Sequence, residues 1–171
     1  MGFMFSKSES PLCESLLKKS SEALITRTGD LILVPSSDLC VTLNDDLWQH
    51  VGLVIHSAGR HVFIDGQLIE FERFIDEYRS DEGLYIRQLD RPVFLDKQVL
   101  EWTRQVSVIM NELDLEPEFY EGFAVGALLV KLKCCLEEEV HRGRLRPHHF
   151  SSETPFKRLQ IRHYSDNIYF C

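Results

Sequence analysis

The chain has little basic charge, no paired cysteines and no long apolar run. With 19 Lys and Arg against 27 Asp and Glu, its formal net charge is −8. That balance disfavours a nucleic-acid binder, whose affinity comes from neutralising phosphates with a basic face. The cationic residues that exist are gathered late, in "HRGRLRPHH" and "FKRLQIRH". A solvated helix end and loop account for them, with binding of an anion or an acidic partner as the alternative. No stretch approaches the ~20 apolar residues that cross a bilayer. Gly-rich phosphate loops, a Gly-x-Ser-x-Gly elbow, internal repeats and low-complexity segments are all missing. The cysteines, Cys13, Cys40, Cys134, Cys135 and Cys171, are odd in number and follow no secretory signal. They fit a reduced, cytoplasmic protein better than a disulfide scaffold.

The composition that remains is that of a packed domain, with 44% apolar and 11% aromatic residues. A length of 171 residues suits one unit, expected over 11–171 after a flexible segment at 1–10. That segment, "MGFMFSKS", has Gly2 behind the initiator Met and Ser6 followed by Lys7, the pattern for N-myristoylation. One acyl chain holds a membrane only marginally, so a second signal is expected. Phe3, Met4 and Phe5 beside the chain, palmitoylation of Cys13, and Lys7, Lys18 and Lys19 on anionic lipid are the candidates. The expectation is a peripheral membrane protein, with an ordinary Met-Gly start as the alternative.

Hydrophobic periodicity orders the rest as helix, sheet, helices, strands, an α+β arrangement. Ser10 and Pro11 open a helix through Ile25. "LILV" at 31–34, "HVGLVI" at 50–55 and the run after Gly59 read as buried strands, with a fourth at "GLYIRQL". Asp96 caps a helix carrying Val99, Leu100, Trp102, Val106, Ile109, Met110 and Leu113 at helical spacing. Another helix is expected from about Glu118 past Lys133, and one or two strands in the tail around a turn at Ser165 to Asn167.

His50 stands at the head of an apolar run, in "WQHVGLVI". Alone, a strand-end histidine is more often a hydrogen-bonded structural residue than a catalyst. Its surroundings add to that. "TGDLILV", a polar loop, "WQHVGLVI" and "HVFIDGQLIEFERFI" together resemble the first half of the circularly permuted papain-like thiol hydrolases. These form the permuted branch of the NlpC-type superfamily, which includes lecithin retinol acyltransferase-like enzymes, a poxviral group and bacterial lipid or amide hydrolases. The likeness covers roughly residues 28–75, with weaker echoes to Phe156.

The resemblance implies a small antiparallel sheet or barrel packed against helices, and a Cys-His pair acting on an amide or ester without cofactor or metal. His50 takes the general-base position and Asp65, in "VFID", the position that orients it. A turn aspartate in a Asp-Gly pair is the plain alternative for Asp65, and Glu70 is a less favoured substitute. Gly29 and Asp30 are structural positions. For the nucleophile, one alignment matches Tyr120 and Glu121 to a Tyr-Glu pair and Cys135 to the Cys motif, with Cys134 beside it. A second reads "GFAVGALL" as the Cys helix itself and leaves Glu121 or Gly122 where the nucleophile belongs, which makes the chain a catalytically dead binding or adaptor domain. A third uses Cys13. Zinc held by Cys134, Cys135, His141, His148 and His149 is disfavoured by their spacing. With a myristoyl tether, a lipid ester or an acylated protein suits an active enzyme better than a soluble peptide.

Overall fold

The computed structural model describes residues 26–36, 48–78, 83–91, 96–142, 144–153 and 159–170. Residues 1–25, which hold Gly2, Cys13 and the expected first helix, lie outside that set, as do Cys40 and Cys171.

The fold is α+β, built on an open antiparallel sheet of six strands in the order β4-β3-β2-β1-β5-β6. The strands are β1 (Leu31–Pro35), β2 (Trp48–His56), β3 (Arg60–Ile64), β4 (Gln67–Glu70), β5 (Leu84–Arg87) and β6 (Ile168–Phe170). Among the described residues four helices accompany them: α1 (Phe71–Tyr78), α2 (Asp96–Glu112), α3 (Tyr120–Lys131) and α4 (Glu137–Arg142). Short 3-10 turns at Pro117–Phe119 and Pro147–Phe150 complete the framework.

The unbroken apolar runs follow from a sheet covered on both faces. Successive side chains of a strand point to opposite sides. In β1, Leu31 and Leu33 join Val51, Leu53, Ile55 and Phe63 beneath α2 and α3. Ile32 and Val34 join Val54, Val62 and Ile64 against Phe71, Phe74 and Ile75 of α1. Neither face of β1 or of the middle of β2 meets water, so the alternation that marks a half-exposed strand does not develop there. Strand β4 and helix α1 went unforeseen, because "QLIEFERFIDEY" switches from strand to helix at Phe71 with no breaker between them.

Helix α2 buries only Val99, Thr103, Val106 and Met110. Ile109 and Leu113 of the expected stripe are exposed, since the covered strip follows a single line of helical spacing. The expected helix past Lys133 stops sooner. Lys133 adopts a left-handed φ of 62°. Its N–H donates to Val130 O and the Cys134 N–H to Leu129 O, the paired bonds that close a helix C-terminus. Cys134 and Cys135 therefore sit in the bend after α3, outside any helix.

Candidate functional site at the heads of β2 and α3

The first residues of β2 protrude beyond β3. Pairing of β2 with β3 begins at Leu53 and Phe63, whereas β1 pairs with β2 back to Trp48. Val54 N–H donates to Asp30 O on the β1 side. Alternation along the strand thus turns the Val51 N–H toward β3, at a level β3 does not reach. A buried N–H needs an acceptor, and the one supplied is Glu121, whose Oε1 lies 3.0 Å from Val51 N. Its other oxygen, Oε2, lies 2.8 Å from His50 Nδ1. One carboxylate thus holds both the strand end and the ring.

Glu121 reaches this place because it is the second residue of α3, whose N-cap, Phe119, makes no side-chain capping bond. A carboxylate in the first turn meets the positive end of the helix dipole. The neighbouring Gly122 lets the chain close over it. A Cβ on Gly122 would fall 2.1 Å from Leu145 O, so only glycine lets that backbone lie against the helix. The segment leading into Pro147–Phe150 is thereby drawn over the site. Between it and β2 lies a cleft of ≈ 350 Å³ lined by Trp48, Gln49, Glu118, Glu121 and Arg146, among others. Arg146 and Glu118 approach to 3.8 Å at its exposed edge.

The His50 and Glu121 side chains are 23% and 17% exposed, a half-buried pair. The Tyr78 ring meets His50 edge-on at 4.9 Å between centroids, and no sequence signal pointed to it. Asp65 occupies the β3–β4 turn with φ 56°, followed by Gly66 at 78°, the left-handed pair of a tight hairpin. The hydrogen-bond partner of His50 is Glu121 rather than Asp65. Asp65 is nevertheless close enough to feel both charges. Burial pushes its carboxyl up from the usual range and Glu121 pushes it further, while His50 pulls it down. Burial, then Asp65 and Glu121, likewise raise the Tyr78 hydroxyl. His50, Glu121, Asp65 and Tyr78 thus form one cluster. Glu70 is exposed at the end of β4.

The cysteines lie elsewhere. Cys135 is 8% exposed and its thiol donates to Gly126 O at 3.7 Å. Gly126 is five residues beyond Glu121, about 7.5 Å along the helix axis. Burial, with Glu139 and Cys134 adding to it, pushes the Cys135 thiol up to about 12. Cys134 is fully buried. Its sulfur accepts from Arg91 at 3.5 Å and donates to Leu132 O at 3.6 Å, and burial raises it too. Thiolate formation needs exposure and a positive neighbourhood, and both residues follow the negative end of α3. They are small buried hydrophobes in this setting.

Asp30 is buried, its carboxylate accepting the N–H groups of Arg27 and Leu89, a structural tie at the head of β1. No group of three or more His, Cys, Asp or Glu among the described residues is arranged to hold a metal. No helix among them is long and apolar enough to cross a membrane. No protein-family model matches the chain, and neither a curated protein nor a solved structure matches it.

Proposed function

We propose that the chain is a papain-like domain of the circularly permuted thiol-hydrolase type that has a carboxylate in place of its nucleophile. It serves as a membrane-tethered binding or adaptor domain. The observation that carries this reading is the contact of Glu121 with His50 and Val51 at the first turn of α3. A thiol nucleophile gains most from that setting, a helix N-terminus beside a histidine. A carboxylate held by two donors has no comparable nucleophilic use there. The two described cysteines, meanwhile, are buried around the far end of the same helix. The cleft beside Glu121 is the place for a bound group.

The tether rests on Gly2 and Cys13, both outside the described residues. Mass spectrometry of the protein from its natural host tests it, and an unmodified Gly2 would end that part of the proposal.

Trapping with a thiol-directed acyl probe tests the rest. No cysteine of the folded chain should react in a manner that depends on His50. Labelling of Cys135, Cys134 or Cys13 that disappears in His50→Ala would instead make the protein a working thiol hydrolase or acyltransferase.

A further inference from the structure

A second cavity, of ≈ 210 Å³, lies away from the His50 cluster and is lined by Arg87, His149, Ser151, Ser152 and Asp166, among others. Arg87, Ser151 and Ser152 carry donors for which no acceptor stands among the described residues. Arg87, on β5, is only 7% exposed. Its Nε donates to Ser165 O at 2.8 Å and its Nη1 to Phe150 O at 2.7 Å. A guanidinium has further N–H groups beyond those, and for them no acceptor stands among the described residues. Both of its partners are neutral carbonyls, so its charge has no ion-pair partner there. Asp166, exposed, is the nearest anionic influence, felt through space rather than by contact. A buried, uncompensated charge is costly, and proteins seldom leave one so.

The serines show the same one-sidedness. Ser151, 3% exposed, accepts from Glu153 N at 3.1 Å and from Asn167 Nδ2 at 2.9 Å. Ser152 Oγ accepts from Asn167 N at 2.9 Å. Each hydroxyl also has a proton to donate, and neither donates it to any described residue. Those bonds to Asn167 fix the two oxygens in place.

We propose that this cavity binds a phosphate-class oxyanion, held by the Arg87 guanidinium and the hydroxyls of Ser151 and Ser152. A planar carboxylate would be satisfied by the guanidinium fork alone. Donors converging from three side chains suit a tetrahedral anion, whose several oxygens point in different directions. Asp166 at the lining opposes the bound charge and limits its affinity.

Isothermal titration of the full chain with sodium phosphate, at constant ionic strength made up with chloride, tests the site. Arg87 also ties down the Phe150 and Ser165 carbonyls, so its replacement perturbs the fold and the milder variants decide. Saturable millimolar or tighter binding is expected, weakened about tenfold in Ser152→Ala, the loss of one hydrogen bond to a charged group. Asp166→Asn should tighten it. Glycerol phosphate binding as well as inorganic phosphate would assign the site to a phosphate monoester, and its exclusion would assign it to the free ion. Absence of saturable phosphate binding by the folded chain would overturn the proposal. So would an affinity unmoved by both substitutions, or uptake by phosphatidic acid vesicles without binding of soluble phosphate.

Discussion

Glu121 bridges His50 Nδ1 at 2.8 Å and the Val51 N–H at 3.0 Å, joining the first turn of α3 to the start of β2, which β1 pairs and β3 does not reach. Truncation leaves two donors short of an acceptor in a half-buried place. Glu121→Ala should therefore destabilise the fold by ~1–3 kcal/mol. Because His50 and Glu121 share the interaction, His50→Ala combined with Glu121→Ala should cost less than the sum of the two single changes. Urea denaturation of all four proteins measures this, and strict additivity would show that the contact contributes nothing.

That pairing was only partly legible in the sequence. The apolar runs at Leu31 and Val51 announced the strands, and the "WQHVGLVI" pattern singled out His50. Asp65 takes the orienting role only through the family resemblance, which expects a polar residue on the third strand. The partner in contact lies on α3, and no local pattern specifies which helix end faces which strand end. The clearest hint was the alignment that put Glu121 in the nucleophile's place. The resemblance matches Cys135 to the Cys motif, yet its burial and the closing turn at Lys133 depend on tertiary packing. Arg87, Ser151 and Ser152 gave no signal, since their relation is an excess of donors that appears only once their partners are known.

Glu121→Cys should place a thiol on the first turn of α3, where the helix dipole favours thiolate. With iodoacetamide at neutral pH, this cysteine should be alkylated well before Cys134 and Cys135, and more slowly once His50→Ala is added. Peptide mapping of partly alkylated protein provides the check. Equal rates at all three positions would contradict the assignment of α3's first turn as the reactive setting.

Cys135 carries a consequence for alkaline pH. Its thiol is pushed up to about 12 in the folded chain, against 9.0 for the unperturbed group. Between those values the unfolded chain releases the proton while the folded chain keeps it. Folded protein then binds more protons, so stability falls as pH rises. The contribution is whole below pH 9 and is lost as pH climbs toward 12, with a slope of at most about 1.4 kcal/mol per unit. Cys135→Ala costs core packing at every pH but removes this slope. The difference in stability between the two proteins, from urea melts at stepped pH, should therefore shrink above pH 9. A constant difference would mean that the thiol ionises alike in both states.

Gly122→Ala tests how the cleft is closed. The added methyl would lie 2.1 Å from Leu145 O and 2.5 Å from Leu145 C, both backbone atoms that no rotamer change can move aside. Elsewhere in a helix the same substitution is favourable by ~0.5–1 kcal/mol, because alanine restricts the unfolded chain more than glycine does. Here overpacking should dominate, at ~1–3 kcal/mol or more. The relief available is a shift of Leu145 away from α3, which also displaces Arg146 and Pro147 from the cleft wall. The variant should thus melt at lower temperature and weaken any ligand of the cleft. The cavity lined by Arg87 depends less on that wall, and phosphate binding there should change less than binding beside Glu121. A variant as stable as the parent would mean that the backbone of Leu145 does not rest on Gly122 in solution.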